Sequence, residues 1–288
     1  MRAGDALWSL DVLTVALLVL TAGVYARGWA RLRRRMPLRF NWPQLVAFMA
    51  GLDVLFVALA PPLEALAAQT LTAHMIQHLL LMMVAPPLLW LGAPVAPVLR
   101  GLPTAAMRGA IAFLAWSPAR RVGRALTHPA VGWVSFSVMA WAWHVPALYE
   151  LALRSHGWHH LEHACFVTSA FLFWWPVVQP WPSRPRWPRW AMVPYLLLAE
   201  VQNVLLAAIF TFGGRVLYPT YAATAARMGA SALEDQTVAG LIMWGPGSLT
   251  FLFPVGWLVL GLLMPARMTQ NTAPPGTRPL SRPGSMMG

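Results

Sequence analysis

Long apolar runs separated by short, arginine-bearing polar segments set the pattern of the chain. Each apolar stretch of about 20 residues is long enough to cross a hydrocarbon core of roughly 30 Å as a helix. The fold class this predicts is all-α, a polytopic membrane bundle, because in lipid a helix satisfies every backbone group within its own segment. Seven transmembrane helices are expected, at residues 8–26, 43–60, 72–91, 131–143, 156–178, 191–212 and 235–264. Proline punctuates them. The segment 92–103 should not continue as regular helix, and Pro246 and Pro254 should kink the last span. Residues 105–116 are apolar but too short to cross, which places them at the membrane interface. The chain thus divides into a seven-span membrane domain, 1–266, and a Pro-, Gly- and Ser-rich tail, 267–288, expected to be disordered.

Composition sharpens the class. With 58% hydrophobic and 10% charged residues, the chain lies outside the range of soluble domains, whose charged share is roughly 25%. The net charge of +12 matters through its placement. All 21 basic residues are arginine, which excludes a retinal Schiff base, since that needs a lysine. Seventeen of them fall in the segments 27–39, 100–124 and 184–189 and in the tail, against Arg2, Arg154, Arg215 and Arg227 on the other side. The asymmetry predicts an outside N-terminus and a cytoplasmic C-terminus. It also accounts for the charge without nucleic acid; the lipid bilayer is the expected surrounding. Asp5 and Asp11 precede or enter the first run and arginines follow it, the reverse of a secretory leader, so that run is read as an uncleaved anchor. A lone cysteine, Cys165, rules out an intrachain disulfide.

With that topology, seven of the eight histidines fall at outer helix ends: His74, His78, His144, His156, His159, His160 and His163, leaving only His128 inside. His74 and His78 are one helical turn apart on one face, Met82 extends the stripe and Met75 edges it. On the fifth span His156, His159, His160 and His163 share a sector of about 100°, and Cys165 points away. Helix bundles build metal sites from such facing side chains. Imidazole suits copper, zinc and iron, and the thioethers of Met75 and Met82 favour Cu(I). The candidate ligands are His74, His78 and His163, then His144, His159 and His160, with Glu162 and Asp235 orienting imidazoles from behind.

Other readings stay open. The histidines can simply occupy the headgroup boundary, and Asp235 can be a helix-start acid favoured by the dipole. His159, Glu162 and His163 match the H-x-x-E-H spacing of one zinc protease class. The H-x-x-x-H of His74 and His78 and the H-x-x-H-H of His156 to His160 are similar to the histidine boxes of membrane di-iron desaturases and hydroxylases. A bis-histidine haem protein and a metal-free scaffold complete the set, so copper stands beside iron and haem as candidate cofactors. Asp53, Glu200, Gln202 and Asn203 form either an interhelical hydrogen-bonded cluster or a proton or ion path.

Three motifs carry a family resemblance. His74-Met75-Ile76-Gln77-His78 runs into Ala85-Pro86-Pro87-Leu88-Leu89-Trp90-Leu91-Gly92-Ala93-Pro94; Leu161-Glu162-His163 leads to Phe173-Trp174-Trp175-Pro176; and Asp235-Gln236 leads to Gly240-Leu241-Ile242-Met243-Trp244-Gly245-Pro246-Gly247. Together they resemble the multi-span CtaG family of cytochrome c oxidase assembly factors. The resemblance implies a membrane assembly factor rather than an enzyme, cytochrome c oxidase subunits as partners, and a role in forming the oxidase copper centre. Any copper chemistry would fall to histidine and methionine, because the one cysteine is out of phase with the imidazoles.

Overall fold

The apolar runs become helices, and a few caps decide where they begin. The computed structural model describes residues 12–183 and 187–264, and every regular element among them is helical. Helix α1 (Val12–Arg33) leads to Asn41, whose side chain accepts from Gln44 N at 3.2 Å and so caps α2 (Trp42–Leu59). After the short α3 (Pro61–Ala67), Thr70 accepts from Ala73 N at 3.3 Å and starts α4 (Leu71–Leu79). A π-helical turn, Leu80–Val84, joins α4 to α5 (Ala85–Leu91). There follow α6 (Val95–Gly101), α7 (Thr104–Ala115), α8 (Ser117–Leu126), α9 (Pro129–His144), α10 (Pro146–Arg154) and α11 (His156–Val178). A 3-10 turn, Arg189–Ala191, opens α12 (Met192–Phe212); α13 (Pro219–Met228) and α14 (Ala232–Leu263) complete the chain.

Six of these segments are long and apolar enough to cross a membrane: α1, α2, α4 to α5, α11, α12 with its leading turn, and α14. The expected fourth span is α9, a helix of 16 residues and about 24 Å, shorter than the others. Asp5, Asp11, Arg2, Arg184, Arg186 and the tail 267–288 lie outside the described residues.

Two expectations change. The first helix continues past residue 26 through Arg27, Arg31 and Arg33, since arginine is a good helix former. Arg33 then lies over the rings of Trp29 and Trp42, 5.3 and 4.9 Å from their centroids, and donates to the Phe40 carbonyl at 3.0 Å. The segment 92–103 breaks only briefly, and helix resumes as α6 because Pro97 falls in its first turn, where no intrahelical N–H is needed. α6 lies against α1 at a backbone-to-backbone crossing. A Cβ on Gly28 would strike the Pro97 carbonyl, and one on Gly101 the Val24 carbonyl. α7 and α8 bury no residue, in keeping with an interfacial position for 105–116.

The third span is the axis of the bundle. Its buried share, 56%, exceeds the 17–44% of the other spans, and it packs against α2, α11 and α14. Its π turn has a local cause. Pro86 and Pro87 have no N–H to return to the carbonyls four residues earlier, so the ladder widens and Ala85 N bonds Leu80 O instead. The Trp174 indole then donates to the stranded Met82 carbonyl at 3.0 Å and ties this span to α11.

Candidate metal centre

The imidazoles converge because the starts of α4 and α11 and the end of α9 meet at one end of the bundle. His74 and His78 stand a turn apart on α4, His159 and His163 a turn apart on α11, and His144 ends α9. Glu162 lies between them. Its Oε2 is 3.7 Å from His74 Nε2 and its Oε1 is 3.7 Å from His78 Nε2. These gaps exceed a hydrogen bond and approach the roughly 3.3 Å between two ligands of one tetrahedral ion. Donor atoms of His74, His159 and Glu162 fall within 4.8 Å of one another, as do those of His78, Glu162 and His163. Both trios include Glu162, so its carboxylate can serve one cation or bridge two.

The cluster is also short of partners. His74, His78 and Glu162 are 1%, 4% and 0% exposed. Thirteen buried side-chain nitrogens and oxygens among the described residues lack a hydrogen bond, and seven belong to His74, His78, His144, Glu162 and His163. Native interiors hold few such groups, and an uncompensated buried carboxylate costs several kcal/mol. A cation held between Glu162 and the histidines facing it would satisfy the carboxylate and one nitrogen of each ligand ring, so the donor set fits a metal.

Two hydrogen bonds prepare the rings. The Tyr221 hydroxyl donates to the Ala67 carbonyl at 2.8 Å and stands 3.0 Å from His74 Nδ1, which assigns the ring hydrogen to Nδ1 and leaves Nε2 with a lone pair towards Glu162. His144 Nδ1 lies 2.6 Å from the Ala140 carbonyl, an obligate acceptor, so its Nε2 is free in the same way. Orienting a ligand imidazole through its second nitrogen is the usual arrangement at metal sites.

Tyr221 lies on α13, between the sixth and seventh expected spans, where the sequence marks no candidate residue. Glu150 holds that helix in place, accepting from Thr220 N at 3.0 Å, from Thr220 Oγ1 at 2.5 Å and from Arg154 at 3.1 Å. Partial burial pushes the Glu150 carboxyl up, but these bonds outweigh it and hold it below its ordinary value. Tyr218 stacks on Tyr149 at 3.9 Å and donates to the His144 carbonyl at 2.9 Å. Burial pushes the hydroxyls of Tyr149 and Tyr221 up, which keeps them protonated. No spacing in the sequence links Tyr221 to His74, 147 positions away.

The other predicted residues divide. Glu162, expected behind the imidazoles, faces two of them directly. Asp235 is aimed elsewhere: its carboxylate accepts from Leu71 N at 2.6 Å and Thr72 N at 3.2 Å, so it caps α4 from α14 instead of orienting an imidazole. His160 stands apart from the buried cluster, exposed beside Glu64 and His156. Met75 and Met82 line a cavity of about 60 Å³ together with His78 and His144. His74, His159 and His163 line a separate, larger cavity of about 730 Å³. Cys165 packs half-buried against the core, and His128 accepts from Ala130 N at 3.2 Å to cap α9. Asp53 is exposed on α2, away from the inward-facing Glu200, and Asn203 donates to the Met243 carbonyl at 3.1 Å, joining α12 to α14.

An uncharacterised protein of Mycobacterium bovis and one of Mycobacterium tuberculosis are each 30% identical over 268 residues, covering 89% of this chain and 39% of theirs. One of Mycobacterium leprae is 25% identical over 254 residues, covering 86% of this chain and 38% of its own. The chain therefore spans well under half the length of the curated relatives it matches. No solved structure matches it. The profile of the cytochrome c oxidase caa3 assembly factors matches residues 23–264, a stretch that takes in the histidines of α4, α9 and α11 together with Glu162 and Tyr221, and the chain belongs to that family.

Proposed function

We propose that this protein is a non-enzymatic factor for cytochrome c oxidase assembly, and that it binds copper at the Glu162 cluster as cargo for the oxidase copper centre. The observation that carries the reading is the grouping of unpartnered, buried imidazole nitrogens of His74, His78 and His163 around the unpartnered carboxylate of Glu162. Imidazole donors, with Met75 and Met82 beside His78 and His144, suit copper in either oxidation state, and the thioethers favour Cu(I). The partners are oxidase subunits in a bacterial plasma membrane. The chain crosses that membrane seven times, α9 supplying the short fourth span, with its N-terminus outside, so that the cluster faces the outer side.

The sharing of Glu162 by two trios also favours a second reading, a carboxylate-bridged di-iron centre. Metal analysis and an optical spectrum of detergent-purified protein separate the two, measured beside His74→Ala/His78→Ala/His163→Ala. Near-stoichiometric copper that is lost in the variant is the expected result. Iron would move the assignment to the second reading or to haem, and no metal even after reconstitution with Cu(I) would leave a scaffold.

A further inference from the structure

A second group of ligand-type side chains lies outside the buried cluster. Donor atoms of Glu64, from α3, and of His156 and His160, from the start of α11, fall within 4.8 Å of one another. Both histidines are exposed and Glu64 is half-buried. All three line the same cavity of about 730 Å³ that His74, His159 and His163 line from the inside.

The spacing along α11 makes this more than a neighbouring surface patch. His156 and His159, and likewise His160 and His163, are three residues apart, the separation at which side chains of one helix meet at about 5–6 Å. Each exposed imidazole therefore has a deeper counterpart one turn further along the helix, His159 half-buried and His163 with its Nε2 buried. The outer and inner sets also offer the same ligand types, imidazoles and one carboxyl group, Glu64 outside and Glu162 within. An ion can pass inward by exchanging one imidazole for the next without ever losing all protein ligands. Water competes for the exposed set and hardly for the buried one, so the inner set holds the ion more firmly.

We propose that Glu64, His156 and His160 form a surface loading site for a transition-metal cation, copper on the function proposed above, which is handed through the cavity to the Glu162 cluster. The proposal rests on the buried cluster being a metal site, and the test separates the two. Full-length protein in detergent is mixed with Cu(I) held by excess bicinchoninate, and uptake is followed by the loss of the chelator's colour. Wild type is compared with Glu64→Gln/His156→Asn/His160→Asn and with His128→Asn, a histidine change at the far end of α9. Removing an anionic, ligand-bearing mouth should slow loading roughly tenfold, while the copper retained after overnight incubation and desalting matches wild type and His128→Asn loads normally. Loading of the triple variant at the wild-type rate would overturn the route alone. So would loss of the retained copper, because the trio would then belong to the buried site or its fold. No uptake by wild type would sink the copper reading and the route with it.

Discussion

The Tyr221 hydroxyl stands 3.0 Å from Nδ1 of His74 and points its own hydrogen at the Ala67 carbonyl, so the imidazole must present Nε2 to Glu162. If His74 is a ligand, Tyr221→Phe should leave the fold standing and weaken metal binding by roughly 10- to 100-fold, the usual effect of removing such an orienting bond. A competition titration with a Cu(I) chelator, beside the thermal midpoint of the metal-free protein, checks both halves. Unchanged affinity would remove Tyr221 from the site.

Glu162 should oppose stability and support binding at the same time. In the metal-free protein its buried carboxylate has no hydrogen-bond partner, so Glu162→Gln, which removes the charge and keeps the shape, should leave the melting temperature unchanged or raise it. Addition of copper should then stabilise wild type by about 2.7 kcal/mol at a hundredfold excess over Kd and leave the variant where it was. Thermal unfolding with and without metal reads this directly, and destabilisation of the metal-free variant would contradict it.

Much of this was legible in the sequence, and what was missed has a pattern. The 3.6-residue period places His74 with His78 and His159 with His163, and hydrophobic length places their helices, because both depend only on nearby residues. Which helices are neighbours depends on packing. The sequence therefore puts Glu162 behind the imidazoles, although it sits between two of them, and offers Asp235 as an imidazole partner or a helix-start acid, although it caps α4. Tyr221 was invisible for the same reason, since its contact with His74 closes 147 positions of chain. Asp53 was grouped with Glu200 because α2 is apolar around its whole circumference and no stripe marks its inner face.

Asp235 gives a prediction that separates its two roles. Its carboxylate satisfies the first two N–H groups of α4, so Asp235→Ala should destabilise the protein by about 1 kcal/mol, the usual cost of a lost helix cap. Copper stoichiometry should not change, because the carboxylate is taken up by Leu71 and Thr72. Thermal unfolding and metal content measured on the same preparation decide the matter, and full stability with lost copper would restore the imidazole-orienting role.

Glu150 carries the pH dependence of the cover over the site. Its carboxyl is held below the ordinary value, about 4.3 for glutamate. A group with a lowered folded-state value contributes its stability above the unfolded value and loses it as the pH falls through the folded one. The bonds from Thr220 and Arg154 should therefore be intact at pH 7 and weaken only once the pH has fallen below the ordinary glutamate range. Glu150→Gln lacks this titration. Its melting temperature should lie below that of wild type from pH 5 to 8, by a gap worth no more than about 1 kcal/mol at this partly solvated position, and the two should converge on further acidification. Because these bonds anchor α13, and α13 carries Tyr221, the variant should also lose part of the copper affinity that Tyr221→Phe loses, at neutral pH where wild type loses none. A constant gap between the two melting curves down to pH 3 would show that the Thr220 contacts do not depend on the charge of Glu150.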